Sequence, residues 1–199
     1  PAEFLDANGQ VADPNAFCTY AWDNYYDHAI EGLVETYQHS DSGQVSLIIT
    51  TETVSKTADS ITQRVTMDFG MGTSNTSTST VNRAEHIQDC VDSFNNPENV
   101  DMNDPSKFSM RMEILAQRTE AVTVGAGTFN ADYMEYRGSF TVQSDQGSMT
   151  MNMQGRGWTG TEGLAQGRML KMESTGSMVI DGRSFPTDST IELIELYVR

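Results

Sequence analysis

Strict alternation of apolar and polar residues is the feature that most limits what this chain can fold into. Met149, Met151 and Met153 are each separated by one polar residue, and residues 108–114 alternate in the same way. Because neighbouring side chains of a β-strand point to opposite faces, each run predicts a strand with one apolar face. Residue patterns typical of β-strands also occur in 45–54, 61–69, 129–142, 169–180 and 190–198.

Turn signals separate these runs. Asp181-Gly182 is the strongest hairpin signal, and further turns are predicted at 56–59, 125–127, 144–147 and 155–163. Short connections of this kind favour an antiparallel meander. We therefore expect a mainly β fold of about eight or nine strands curled into a barrel or half-barrel, with two short helices in the N-terminal half. The length of 199 residues fits a single β-rich domain over 1–199.

Two segments have helical rather than β periodicity. The first is 14–26, where Asp13 can cap the helix and Pro14 fits its first position. The second follows Asn82 and Glu85, a plausible capping pair, and carries an apolar face up to Phe94. Together with the Gly/Ser/Thr tract 72–80, which we expect to be an exposed loop, it forms a predicted loop-helix insertion over 70–105. An insertion of this length is expected to act as a lid or a plug.

The charge balance excludes several classes of function. The chain has 28 acidic and 12 basic residues, a net charge of -16, so it lacks the basic surface with which proteins bind nucleic acid. The same charge is repelled by anionic membranes, and no apolar run is long enough for a transmembrane segment. A surface rich in Asp, Glu, Ser and Thr is typical of exported proteins, so we expect a periplasmic or cell-surface location and a signal peptide removed before Pro1.

Cys18 and Cys90 form an even pair without the CxxC spacing of redox or zinc sites. Acidic neighbours such as Asp89 and Asp92 raise the pKa of a thiol, which disfavours a reactive cysteine. We therefore predict a structural disulfide that joins the two helices, with two buried free thiols as the alternative. Replacing both cysteines is expected to loosen residues 13–30 and 80–96 while the late strands stay formed.

One stretch is similar to a known family. The segment 124–131, VGAGTFNA, resembles the V-x-A-G-T-F strand opening of exported bacterial β-rich domains of unknown function. A later tryptophan and Gly-Leu turn of that family have counterparts here in Trp158, Gly160, Gly163 and Leu164. The resemblance covers about residues 120–175, and the chain departs from it at Thr159 and Thr161. It implies an exported protein with a curved sheet, and it implies no activity.

The twelve methionines are the most unusual part of the composition. Thioether groups suit Cu(I), but no histidine or cysteine lies in the same half of the chain to complete such a site. The other interpretations are a deformable apolar core and a cavity for a loosely specified apolar ligand. The candidate ligand-binding residues are Met110, Met112, Met149, Met151, Met153 and Trp158.

Other candidate chemistry is weaker. The oxygen-rich groups Asp6, Asn8, Asp13 and Asp101, Asn103, Asp104 lack the spacing of a calcium-binding EF-hand loop. No zinc-protease, nucleophile-elbow, phosphate-loop or dinucleotide-binding motif is present. We therefore expect no metal, no cofactor and no catalytic residue. The N-terminal aromatic residues are predicted either to pack a helix on the sheet or to form a binding patch; they are Tyr20, Trp22, Tyr25, Tyr26 and Tyr37.

These observations predict a non-enzymatic exported bacterial β-domain that binds an apolar small molecule or a lipid in a methionine-rich interior. The alternative is a structural or assembly subunit of a surface filament or envelope complex. It is favoured by the polar arm 1–12, which could pair with an exposed sheet edge of a neighbour and so promote self-association.

Overall fold

The computed structural model of the chain describes residues 11–70, 72–95, 108–144, 147–180 and 182–199. It contains two α-helices, α1 (Pro14–His28) and α2 (Arg83–Asn95), and a 3₁₀ turn at Gly163–Ala165. Nine strands form one antiparallel sheet: β1 Leu33–Asp41, β2 Gln44–Lys56, β3 Ser60–Asp68, β4 Ser74–Asn82, β5 Phe108–Val124, β6 Gly127–Ser144, β7 Gly147–Gly160, β8 Met169–Ile180 and β9 Arg183–Val198. The predicted fold class, strand number and pair of helices are confirmed.

The strand order is β4-β3-β2-β1-β9-β8-β7-β6-β5. The strands follow chain order within 1–4 and within 5–9, and the pairing of β1 with β9 joins these two halves. Among the described strands, the two edges of the sheet are therefore β4 and β5, although these strands are consecutive in sequence. The chain passes from one edge of the sheet to the other between residues 82 and 108.

The sheet is curled, and the long β5–β6 hairpin shows how. The backbone N–H of Gly125 donates to Glu192 Oε1 at 2.8 Å, and that of Ala126 donates to the carbonyl of Leu193 at 3.2 Å. Both acceptors belong to β9, which is four places away from β5 in the sheet. A side chain at Gly125 would begin 3.0 Å from the Cα of Ile194, so the close approach requires glycine. The result is a half-barrel.

The larger core cluster lies beside this hairpin. Its fully buried members include Leu170 and Leu193, and the ring of Trp158 stacks edge-on against Tyr133 at 5.2 Å. The complete cluster is Val124, Ala131, Tyr133, Trp158, Ala165, Leu170 and Leu193. The buried apolar residues of the described chain include no methionine.

Helix α1 packs against the sheet at β3. Asp13 Oδ1 accepts from the N–H of Ala16 at 3.0 Å, and Pro14 occupies the first turn, as the sequence predicts. The indole of Trp22, 1% exposed, packs against Ile61 on β3 and Ala29. Of the aromatic residues, Trp22 is thus a core residue, whereas Tyr20 lies at the surface. In the described residues, neither helix combines the length and hydropathy that crossing a bilayer requires.

The predicted disulfide is present between Cys18 on α1 and Cys90 on α2, with the two Cα atoms 5.9 Å apart. Side chains reinforce the contact, because the imidazole of His86 lies 5.4 Å from the indole of Trp22. Helix α2 begins directly after Asn82, whose Nδ2 donates to Glu85 Oε2 at 3.3 Å. The disulfide therefore joins the two helices as the sequence indicates.

Two predicted loops are strands. Strand β4 takes up residues 74–80 of the Gly/Ser/Thr tract expected to be a loop, continues to Asn82, and pairs with β3 in unbroken register. Backbone pairing and threonine hydroxyl contacts support this strand, so apolar alternation gives no sign of it. The turn expected at 155–163 starts only after Gly160, because β7 continues through Gly155. A Cβ at Gly155 would lie 2.5 Å from the hydroxyl of Tyr136, so this glycine makes room for a ring rather than a turn.

Candidate functional site

The strand register collects a set of apolar residues on one face of the sheet. Met151 on β7 pairs with Phe140 on β6 and with Met178 on β8, which in turn pairs with Phe185 on β9. Directly opposed residues of antiparallel strands lie on the same face. We call each line of paired residues across the strands a row. The apolar residues of two rows, together with Met153 from a third, define what we name the methionine face: Phe140, Val142, Met149, Met151, Met153, Met178, Ile180 and Phe185.

The methionine face is partly open to water. Ile180 is 39% exposed and Phe185 46% exposed. The remaining members are half-buried, and none belongs to either core cluster. Adjoining apolar side chains that stay accessible at the surface are a feature of partner and ligand sites. This face is therefore the strongest candidate for a binding site in the part of the chain that the structure describes.

Met153 is flanked by glycines. In the register, Met153 lies between Gly138 on β6 and Gly176 on β8, so neither neighbouring position of its row carries a side chain. A depression of about 720 Å³ surrounds this row. Most of the other residues that line it are polar: Glu113, Arg137, Ser139, Asn152, Gln154, Thr175 and Ser177. The register places these polar residues on the face opposite the side chain of Met153, so the depression opens behind the methionine face.

The structure separates the residues that the sequence grouped as ligand-binding. Met149, Met151 and Met153 share one face, and the backbone register pairs Met110 with Phe140 and Met112 with Gly138, the side chains of these two methionines being outside the described residues. Trp158 is on the other face, because it lies an odd number of positions from these methionines in an uninterrupted strand. Its indole N–H donates to Glu120 Oε1 at 2.8 Å, and the residue is 8% exposed. Trp158 is therefore a core residue away from the methionine face.

The face that carries Trp158 also holds charged side chains that pair with one another. Arg137 binds Glu113 at 2.6 Å, and Glu173 accepts from both Lys171 (2.7 Å) and Arg156. Burial raises the pKa of Glu173, but the hydrogen bonds from Lys171 and Arg156 outweigh it and lower the pKa overall. These charged groups stabilise one another, whereas the methionine face on the other side of the sheet is apolar and partly exposed.

A buried arginine that the sequence did not single out ties three elements together. Arg168 is 8% exposed and donates to the carbonyl of Leu164 at 2.8 Å and to that of His28 at the end of α1. Its Nε lies 2.9 Å from Glu35 Oε1 on β1, off the N–H axis, so the contact is an ion pair rather than a hydrogen bond. Burial, followed by the charge of Glu35, raises the pKa of Tyr37 beside it.

This arrangement is structural in kind. The guanidinium satisfies backbone carbonyls that end a helix and a turn, and the phenol of Tyr37 stays neutral. No alternating pattern surrounds Arg168, so only the tertiary contacts reveal it. Among the described residues, no three His, Cys, Asp or Glu side chains are placed to hold a metal ion. Of the oxygen-rich residues weighed as calcium candidates, Asp13 caps α1, and the others lie outside the described residues.

Comparison with known proteins adds little. No family model matches the chain, and no curated protein does. Among solved structures, the chain is similar to a protein from Bacteroides fragilis NCTC 9343 provisionally described as exported, with a YmcC-like fold: 13% identity, 84% of this chain and 96% of that chain covered, TM-score 0.45. A protein from Parabacteroides distasonis ATCC 8503 provisionally described as a lipoprotein is similar at 14% identity, with the same coverages and a TM-score of 0.43. Likeness at this level bears on neither function nor location.

Proposed function

We propose that this protein is an exported, non-enzymatic domain that binds an apolar or amphiphilic molecule, such as a lipid, on the methionine face. The observation that carries the proposal is the continuous, partly exposed apolar surface across β6–β9. The acidic composition and the Cys18–Cys90 disulfide support export, since disulfides persist mainly in oxidising compartments.

The residue types suit a loosely specified ligand. Methionine is unbranched and polarisable, so Met149, Met151, Met153 and Met178 can adapt to differently shaped apolar groups. At the end of the face, Arg183 pairs with Ile180 and is exposed, with no described carboxylate within ion-pair distance. A cation beside an apolar surface fits an amphiphile with an anionic head group.

The size of the face sets the expected affinity. Four strands about 4.8 Å apart and the five residues from Met149 to Met153 define a surface of roughly 14 Å by 14 Å. Covering on the order of 200 Å² at about 25 cal/mol per Å² contributes about 5 kcal/mol. A free energy of about 5 kcal/mol corresponds to a dissociation constant of roughly 0.2 mM, which is the affinity expected for a single-chain amphiphile.

The test is a fluorescence titration with the apolar probe N-phenyl-1-naphthylamine, with lauric acid as competitor. Met151→Glu places a charge at the centre of the methionine face and should weaken probe binding roughly tenfold to a hundredfold, since a buried methionine contributes about 1.5–3 kcal/mol. Thr150→Glu is the matched control, because it adds the same charge one residue away on the opposite face. Equal binding by both variants and the unaltered protein would refute the proposal.

A structural or assembly role is the second candidate function. The specific observation in its favour is the exposed edge strand β4. The polar arm 1–12 was predicted to pair with such an edge, and most of this arm lies outside the described residues.

A further inference from the structure

Strand β4 presents an open edge. It is the last strand on its side of the sheet, and within the described ranges no strand pairs with its outer side. Every residue from Ser74 to Thr80 is exposed. An edge of this kind offers a row of backbone donors and acceptors to any strand that can align with it.

The edge lacks the features that normally prevent such pairing. Ser74–Asn82 contains no charged residue and no proline, and its register with β3 has no bulge. Bulges do interrupt the pairings of β1 with β2 and of β2 with β3. In a chain of net charge -16, an uncharged strand is also where a second copy meets the least local repulsion.

The sequence of β4 matches itself in reverse. Residues 76–80 read Thr-Ser-Thr-Ser-Thr in both directions, centred on Thr78. Antiparallel alignment of two copies about Thr78 would therefore place each Thr76 opposite Thr80 of the other copy. Threonine pairs across antiparallel strands are stabilising, and β3 and β4 already form two of them, Thr62–Thr80 at 2.8 Å and Thr66–Thr76 at 3.0 Å.

We propose that two copies of this chain associate through β4, antiparallel and about a two-fold axis at Thr78, which joins their sheets into one. An isologous contact of this kind is closed and gives a dimer. It does not depend on a ligand at the methionine face. A single strand edge gives an interface at the small end of the known range, below about 1,200 Å², so we expect a weak, concentration-dependent dimer.

Register-specific cross-linking tests the geometry. In the proposed dimer, residue 78 faces itself at a Cα separation of about 4.5–5.5 Å, within disulfide range. Ser74 is displaced from its own copy by eight residues, about 27 Å. Under mild oxidation, Thr78→Cys should therefore give a disulfide-linked dimer on non-reducing gels, and the control Ser74→Cys should not. Equal cross-linking of the two variants would overturn the proposed register.

Sedimentation equilibrium from roughly 1 µM to 1 mM tests the association itself, since weak interfaces dissociate in this range. The unaltered chain should shift from monomer to dimer. Thr78→Glu should stay monomeric, because two carboxylates would meet at the axis, while Arg64 directly opposite on β3 supports the folded strand. A dimer that survives Thr78→Glu but is lost in Met151→Glu would show association through the methionine face instead. An unaltered chain that stays monomeric throughout would likewise refute the inference.

Discussion

Removing the Cys18–Cys90 disulfide should destabilise the protein strongly but act locally on its structure. Alanine is the better replacement, because Cys18 is fully buried and a serine hydroxyl there would lose its hydration. The bond closes a loop of 72 residues. In the chain-entropy model, a loop of that length restricts the unfolded state by about 4.4 kcal/mol, so the free energy of unfolding should fall by about 4 kcal/mol.

The folded contacts explain why the structural effect should be local. Besides the bond, the described contacts of α2 with α1 include the ring contacts of His86 with Trp22 and Tyr25. They also include an exposed Arg83–Asp23 pair at 3.7 Å, which contributes little. Helix α1 has more support, since Lys56 Nζ donates to the carbonyls of Tyr26 and Ala29. Residues 80–96 should therefore loosen more than residues 13–30.

Guanidinium denaturation of the Cys18→Ala/Cys90→Ala protein measures the loss in free energy, and amide hydrogen exchange locates it. Protection should fall in the two helices and remain in β6–β9. A loss below about 1 kcal/mol would contradict the entropic estimate. Protection lost evenly along the chain would refute the idea that the bond acts as a local link.

Two further predictions concern charged side chains. Arg168→Met should lower the free energy of unfolding by about 3–5 kcal/mol, because it leaves the Glu35 carboxylate and three backbone carbonyls without their cation. Urea denaturation measures this change, and a loss below about 1 kcal/mol would contradict the role assigned to Arg168. Glu173 has a lowered pKa in the folded state, so its contribution is fully present above its ordinary pKa of 4.5 and is lost as the pH falls through the folded value. Denaturation of Glu173→Gln should therefore show a deficit against the unaltered protein at pH 7 that disappears in acid, and a deficit that does not change with pH would refute this assignment.

The local pattern of the chain was enough to predict much of the fold. Apolar alternation predicted β3, and a run rich in Ile, Thr and Val predicted β2 as its hairpin partner. The β-type runs after residue 107 predicted β5–β9, and the Asp181-Gly182 signal falls between β8 and β9. Helical spacing and capping residues predicted both helices, and the cysteine pair predicted their covalent link. The strands and helices depend on residues close in sequence, and two cysteines can only pair with each other or remain free. No tertiary information was therefore required to predict these features.

The site was only partly predictable. Alternation alone indicated that Met149, Met151 and Met153 share a face, but not that Phe140, Met178 and Phe185 join them there. The face occupied by Trp158 was not predicted, because the glycines of β7 resembled a turn. With the strand predicted to end before Gly155, alternation could not be extended to Trp158.

The sequence by itself determined the period of each strand, the helices and the disulfide, because these follow from side-chain direction and local capping. Only the tertiary structure decided the pairing of β1 with β9, the edge position of β4 and the burial of Arg168. Each of these results from contacts between residues far apart in the chain. A polar strand such as β4 is stabilised by backbone hydrogen bonds to its neighbour, and backbone hydrogen bonds leave no pattern in the sequence.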